Sequence, residues 1–284
     1  MLVNSNELLK LALKDNYAVP AYNINNLEWA RYILEACQDD KSPVILAVSE
    51  GAASYMGGYK VVNGLVKSLL DELKITIPVV LHLDHGKSFE VCKKAVDAGF
   101  TSVMIDASSK PFEENIDETL QVVKYASDRG VSVEAEIGSL NEENNNDNIA
   151  SIYSTPEEAK DFVFQTNINS LAPAIGNKHG LYKGEPKLDY ELLGSICKSV
   201  KIPLVLHGAS GLDENKIKTA IFCGITKINI NTDIQLAWSE EVKKYIQNNP
   251  EEYDPRKIIS SGKNAIKKVV HEKNRLFDSV NRAN

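Results

Sequence analysis

The chain has 284 residues, 43% of them hydrophobic and 25% charged, and a formal net charge of −7. This is the composition of a globular protein with material for a large core, and the acidic balance argues against nucleic-acid partners, which favour basic patches. The four cysteines, Cys37, Cys92, Cys197 and Cys223, have no CxxC spacing and read as reduced thiols of a reducing compartment. The opening MLVNSNELLKLALKDN has neither the basic start nor the cleavage-like ending of a signal peptide. No apolar run reaches membrane-spanning length. The expectation is a cytoplasmic protein with no membrane partner.

Eight short apolar or β-branched runs follow one another along the chain, at about 18–23, 43–49, 78–84, 102–106, 132–137, 170–175, 203–207 and 227–231. Amphipathic stretches separate them, among them 27–38, 60–74, 89–98, 115–129, 156–165 and 213–223. Pro43, Pro78 and Pro203 stand where strands open, a place that tolerates proline, and Gly99 and Gly130 stand just past helix ends. Strand and helix alternating eight times predict a (β/α)₈ TIM barrel, with 1–284 as a single domain. The length agrees, since such barrels run to about 250 residues. A doubly wound sheet would want a glycine-rich loop after the first strand, and the sequence there is AYNINN. Two regions leave the repeat. Residues 138–155 are polar and asparagine-rich, a candidate mobile loop at the active face, and beyond about 234 the chain is helical, with a long helix expected over 257–277.

In such barrels the reacting groups come from the carboxyl ends of the strands. Here those ends carry Asn23, Ser49, Asp84 with His85, Asp106, Glu134 with Glu136, His179, His207, and Asn229 with Asn231. Three of the five histidines, His85, His179 and His207, fall at three different strand ends. Neutral imidazoles converging from separate strands can make a three-ligand zinc site that leaves one position open. Alternation puts Glu134 and Glu136 on one side of their strand, both able to face the mouth. HGASG at 207–211 and NINTD at 229–233 follow the seventh and eighth strands, the loops that build a recurrent phosphate site on this fold. A metal beside a phosphate site suits a phosphorylated ketone: a Lewis acid draws on the carbonyl oxygen while an adjacent C–C bond breaks or forms. An acid must serve the aldehyde oxygen, and Asp84, next to His85, is placed for that. A Schiff-base lysine is the other route, but no strand carries a lysine near its carboxyl end, and Lys227 reads as opening the eighth strand on the wrong face. His82 reads as a packed strand residue and His271 as solvent-facing.

With VPAYNINNLEWA, SPVILAVSEGA, HLDHGKSFE, GFTSVMIDAS, VEAEIG, LAPAIGNKHGLYKGEPKLD, LVLHGASGL and YDPRK in this order, the chain resembles the class II, metal-dependent fructose-1,6-bisphosphate aldolases over essentially its whole length. Within them it is similar to the branch shared by fructose- and tagatose-bisphosphate aldolases. The resemblance implies one catalytic Zn²⁺ per subunit on His85, His179 and His207, with Asp84 as proton donor. It implies Asp106 and Glu136 near a second or alternative divalent position. Gly180, the run Gly208, Ala209 and Ser210, and the run Asn229, Ile230, Asn231 and Thr232 match the dihydroxyacetone-phosphate site. Asn23 and Ser49 match substrate contacts, and Lys183 and Arg256 match basic residues for phosphate, Arg256 reaching from a neighbouring subunit. A monovalent cation (Na⁺ or K⁺), a homodimer or homotetramer, and phosphorylated ketose and triose phosphates as partners are also implied. The family's two-glycine turn after strand five is missing here. The segment reads IGSLNEENNND, where Glu143 matches the enolising base and Glu142 is next. GLYKGEPKLD and DPRK favour the fructose substrate over the tagatose epimer. A metal-dependent hydrolase on the same barrel would bring histidines from the first strand, and the first histidine here is His82.

Overall fold

Parallel strands buried on both faces are written as nearly unbroken apolar runs, and each such run of the sequence forms a strand in the computed structural model, which describes residues 2–138, 153–177 and 187–283. The strands are β1 (Val19–Asn23), β2 (Val44–Ser49), β3 (Val79–Gly86), β4 (Ser102–Ile105), β5 (Ser132–Ile137), β6 (Ser170–Pro173), β7 (Leu204–Leu206) and β8 (Ile225–Ile230). They pair in sequence order, all parallel, and β8 returns to β1 to close the barrel. Helices α2 (Leu27–Asp39), α4 (Tyr59–Glu72), α5 (Phe89–Asp97), α6 (Phe112–Ser127), α7 (Pro156–Thr166), α8 (Tyr190–Val200), α9 (Glu214–Phe222) and α10 (Thr232–Asn248) complete the repeat, with a short α3 (Glu50–Tyr55) directly after β2. Local chemistry starts many of them. Asn26, Ser88, Asp189 and Asp213 each accept a backbone N–H of the first helical turn, and Thr155 with Glu158 forms a capping box. Gly99 and Gly130 take positive φ after α5 and α6.

Three helices lie outside the repeat. The opening segment is α1 (Asn6–Asp15); its Leu9 and Ala12 pack on Val19, Ala21, Ile45 and Val80, near the starts of β1, β2 and β3. Ser5, before it, bonds Ser132 at the start of β5, so α1 lies across the amino-terminal opening and leaves the carboxyl end for chemistry. The helix expected over 257–277 is two, α11 (Pro255–Ser260) and α12 (Lys263–Leu276). Gly262 at the break lies against the indole of Trp238, where a Cβ would come within 2.2 Å of the ring. On α12, Asn274 accepts from the Tyr22 hydroxyl and donates to Asp40, tying the terminal helix to β1 and α2.

Candidate metal-binding active site

Two histidines reach the mouth by different means. Asp84 follows the alternation of β3, inward like His82, so the next residue should face outward. A bulge between Leu83 and Gly86 interrupts the pairing with β4, and His85 takes φ of +53°. Bulges re-aim side chains, and this one turns His85 in beside Asp84. Gly86 permits it, because a Cβ there would stand 2.8 Å from the Met104 carbonyl oxygen. Once turned, His85 has Nδ1 at 3.0 Å from Asp106 Oδ2 and Nε2 at 3.9 Å from Asp84 Oδ1. Asp106 also accepts from Lys87 Nζ at 2.6 Å and from the Ser108 hydroxyl at 2.7 Å. Burial works against its charge, but these donors hold its pKa well below the usual carboxylate range.

His207, just past β7, points inward and is fully buried. Its Nδ1 meets Glu136 Oε2 at 2.9 Å and its Nε2 meets Glu134 Oε1 at 3.0 Å. Burial disfavours its cationic form, but the two carboxylates prevail and lift its pKa to about 9. The His85 and His207 rings lie 4.7 Å apart between centroids. Between them sits Asp84, whose Oδ2 accepts from Asn23 Nδ2 at 2.8 Å and whose Oδ1 accepts from Asn229 Nδ2 at 2.9 Å. Burial opposes the Asp84 charge, yet the basic groups around it, His85 first and Lys227 next, keep its pKa well below normal.

Donor atoms of Asp84, His85 and His207 lie within 4.8 Å of one another, as do those of His85, Asp106 and Glu136. Two imidazoles with a carboxylate suit a four-coordinate zinc ion, and the two sets share His85. The donor set fits the metal that the sequence called for. His179, Gly180, Lys183, Glu142 and Glu143 lie outside the described residues.

The remaining expected contacts have definite places. Asn23 and Asn229, expected at the substrate, spend their amide N–H groups on Asp84, while Asn229 Oδ1 is buried with no hydrogen-bond partner among the described residues. Ser49 Oγ caps α3 by accepting from Ala52 N–H. Gly208 has φ of +67°, Ala209 and Ser210 are buried beside it, Ile230 ends β8 inside the core, and Asn231 and Thr232 open α10. Arg256 is 89% exposed and hydrogen-bonds Asp254 at the start of α11. His271 is half-buried and bonds Asp40 rather than facing solvent.

Glu134 and Glu136 share one side of β5, as alternation implied: both meet His207 and each is 2% exposed, but Glu134 is also paired with Lys227, Nζ to Oε2 at 2.7 Å. The expectation for Lys227 fails. Lys227 lies inside the barrel, 1% exposed. The signal for this was present, since Lys227 is two residues before the inward-facing Asn229. His82 is packed as expected, but in a polar setting, with Nδ1 at 2.8 Å from the Ser102 hydroxyl.

A parallel (β/α)₈ barrel with imidazoles and carboxylates gathered at the strand ends defines a metal-assisted barrel enzyme. The family model for class-II fructose-bisphosphate aldolase matches residues 3–282. A fructose-bisphosphate aldolase of Geobacillus stearothermophilus is 52% identical over 283 residues, 99% of each chain, and one of Staphylococcus epidermidis is 51% identical over 284 residues, again 99% of each. The crystal structure of the YdjI aldolase from Escherichia coli K12 superposes with a TM-score of 0.87 at 34% identity, covering 100% of both chains. That of a fructose-bisphosphate aldolase from Campylobacter jejuni gives 0.80 at 27%, covering 100% of this chain and 97% of that one. The chain belongs to the class-II fructose-bisphosphate aldolase family. The family implies a divalent metal, zinc, and the described side chains include two groups that can take one. Among the described residues no helix is long and apolar enough to cross a membrane.

Proposed function

We propose that this mouth carries out the reversible aldol cleavage of fructose 1,6-bisphosphate to dihydroxyacetone phosphate and glyceraldehyde 3-phosphate, within a single barrel domain of 1–284. The observation that carries the residue assignment is that the His85 and His207 imidazoles, 4.7 Å apart between centroids, converge beside the buried Asp84 carboxylate. His85 and His207 hold the zinc, with His179 as the third imidazole. When bound, the zinc supplies a Lewis acid for the ketone carbonyl. Asp84 manages the proton on the aldehyde side. On cleavage, an Asp84 oxygen takes the C4 hydroxyl proton while the C3–C4 bond breaks; its electron pair goes to C3, and C4 becomes the aldehyde carbon. On condensation the same proton returns to the aldehyde oxygen. A carboxylate with both oxygens held by asparagine amides starts the cycle ready to accept. Glu143, or Glu142 beside it, exchanges the proton at C3.

The backbone at Gly208, Ala209 and Ser210, the end of β8 at Asn229 and Ile230, and the α10 entry at Asn231 and Thr232 receive a phosphate. The support is the positive φ of Gly208 and the helix start beside it. Gly180 and Lys183 complete that site, Asn23 and Ser49 contact the sugar, and Arg256 of the partner subunit meets the second phosphate in a homodimer or homotetramer. Asp106 and Glu136 offer the second divalent position with His85, and a monovalent cation, Na⁺ or K⁺, assists phosphate binding. The enzyme works in the cytoplasm. The test is zinc content and aldol cleavage together. Chelation with EDTA should abolish activity, and His85→Ala and His207→Ala should each lose metal and turnover while the barrel stays folded. Stoichiometric zinc in both variants would sink the ligand assignment. A kcat/KM higher for tagatose 1,6-bisphosphate than for its C4 epimer would reverse the substrate choice.

A further inference from the structure

An imidazole presents one of its two nitrogens to a metal, and the hydrogen bond made by the other nitrogen decides which. At His207 both nitrogens face a carboxylate, Glu136 at Nδ1 and Glu134 at Nε2. The two carboxylates are not equivalent. Both Glu134 oxygens accept from Lys227 Nζ, at 2.7 and 3.0 Å, in a part of the barrel where lysine and glutamate are each almost wholly buried. Lys227 Nζ also lies 3.4 Å from His82 Nε2, and the opposite nitrogen of that ring meets Ser102. Moving Glu134 off His207 would disturb a buried ion pair, which is costly because neither charge can turn to water. Glu136 is differently placed. It belongs to the His85, Asp106 and Glu136 donor set, and its other side-chain hydrogen bond is a 3.4 Å contact from the Ser108 hydroxyl. Glu136 is as buried as Glu134, 2% exposed each, but among the described residues no lysine holds it, so turning it breaks no buried ion pair of that kind.

We propose that Lys227 and Glu134 are a positioning pair: they hold His207 with its hydrogen on Nε2, so that Nδ1 is the nitrogen offered to the metal when Glu136 turns away. The inference rests on His207 being a zinc ligand, as assigned above. It sets the two described ligand histidines in opposite senses. At His85 the pinned carboxylate, Asp106, sits on Nδ1, which leaves Nε2 on the side of Asp84. His85 therefore ligates through Nε2 and His207 through Nδ1.

Long-range ¹H–¹⁵N correlation spectra of the zinc-loaded enzyme, labelled at histidine, read this directly. The expected pattern for His207 is a protonated Nε2 and a metal-shifted Nδ1. A metal-shifted Nε2 would overturn the positioning role and leave the ligand assignment standing. No zinc-dependent shift at either His207 nitrogen would overturn both. Chelator competition gives an independent reading. Lys227→Met, which leaves the Glu134 charge with only His207 and the His82 ring beside it, should weaken zinc binding roughly 10–100-fold. Lys227→Met combined with Glu134→Gln restores a neutral oxygen that accepts from Nε2–H, and should recover most of that loss. If Lys227→Met does not fold, the double variant and the wild-type spectra still decide. Wild-type zinc affinity in Lys227→Met, with only a lowered Tm, would make the pair a purely structural feature and end the proposal.

Discussion

His85 and His207 reach the same mouth, one through the backbone and the other through its side-chain neighbours. His85 depends on a bulge, a left-handed φ and a glycine pressed against the next strand. His207 continues the inward direction of β7 and is held at both nitrogens by buried carboxylates. Each is backed by a carboxylate and a lysine, but Lys87 is 66% exposed and Lys227 is 1% exposed. Solvent screens the first arrangement and not the second. The same three residue types therefore carry different weights in the two arms: around His85 the backbone holds most of the information, and around His207 the charges do.

The largest effect should come from the residue between the two arms. Asp84→Ala removes the group that moves the aldehyde-side proton, so kcat should fall by roughly 10²–10⁴-fold, with much less change in binding of dihydroxyacetone phosphate. Asp84 follows ordinary alternation and His85 does not, so this substitution leaves the bulge in place. Zinc content should stay near one per subunit. A kcat loss smaller than tenfold, measured with metal content verified, would mean that another group handles the proton.

Gly86→Ala attacks the backbone arm alone. A methyl at this position would stand 2.8 Å from the Met104 carbonyl oxygen, 2.8 Å from Leu83 Cδ2 and 2.9 Å from the Cys92 sulfur, so the bulge must shift. Overpacking of this kind costs about 1–3 kcal/mol, visible as a lower denaturation midpoint. Zinc affinity should fall with it, because His85 would be re-aimed. Full affinity in a folded Gly86→Ala enzyme would show that the bulge is not what places His85.

How much of this could be read from residue order depends on the same contrast. The barrel was legible because every buried parallel strand is an apolar run, punctuated by Pro43, Pro78 and Pro203 before strands and by Gly99 and Gly130 after helices. The polar strand ends were legible for the same reason, since a strand's carboxyl end is where its apolar run stops. The bulge at His85 was not, because it depends on how closely β4 approaches Gly86, a distance no local pattern encodes. Lys227 was misplaced because one lysine at the edge of an apolar run looks like a strand opening. Only its pairing with Glu134, 93 positions away, makes an inward lysine tolerable. At the split between α11 and α12, Trp238 of α10 donates to the Ile259 carbonyl and lies against Gly262, contacts that no local pattern shows.

The smallest effect should come from Lys87→Ala. Lys87 Nζ bonds Asp106 at 2.6 Å, but its side chain is 66% exposed, and exposed ion pairs contribute about 0–1 kcal/mol. Asp106 keeps the Ser108 hydroxyl at 2.7 Å and His85 Nδ1 at 3.0 Å, so the imidazole should hold its orientation without the lysine. Whatever loss remains should shrink as salt is added, since exposed charges are screened over about 10 Å at 0.1 M ionic strength. The Lys227 pair should show no such salt dependence, because water and ions do not reach it. Zinc affinity and stability of Lys87→Ala and Lys227→Met, each measured at low and high salt, test the contrast between the arms. Equal losses with equal salt dependence would mean that burial does not separate the two lysines, and that Lys87 shares in the placement of His85 with the backbone.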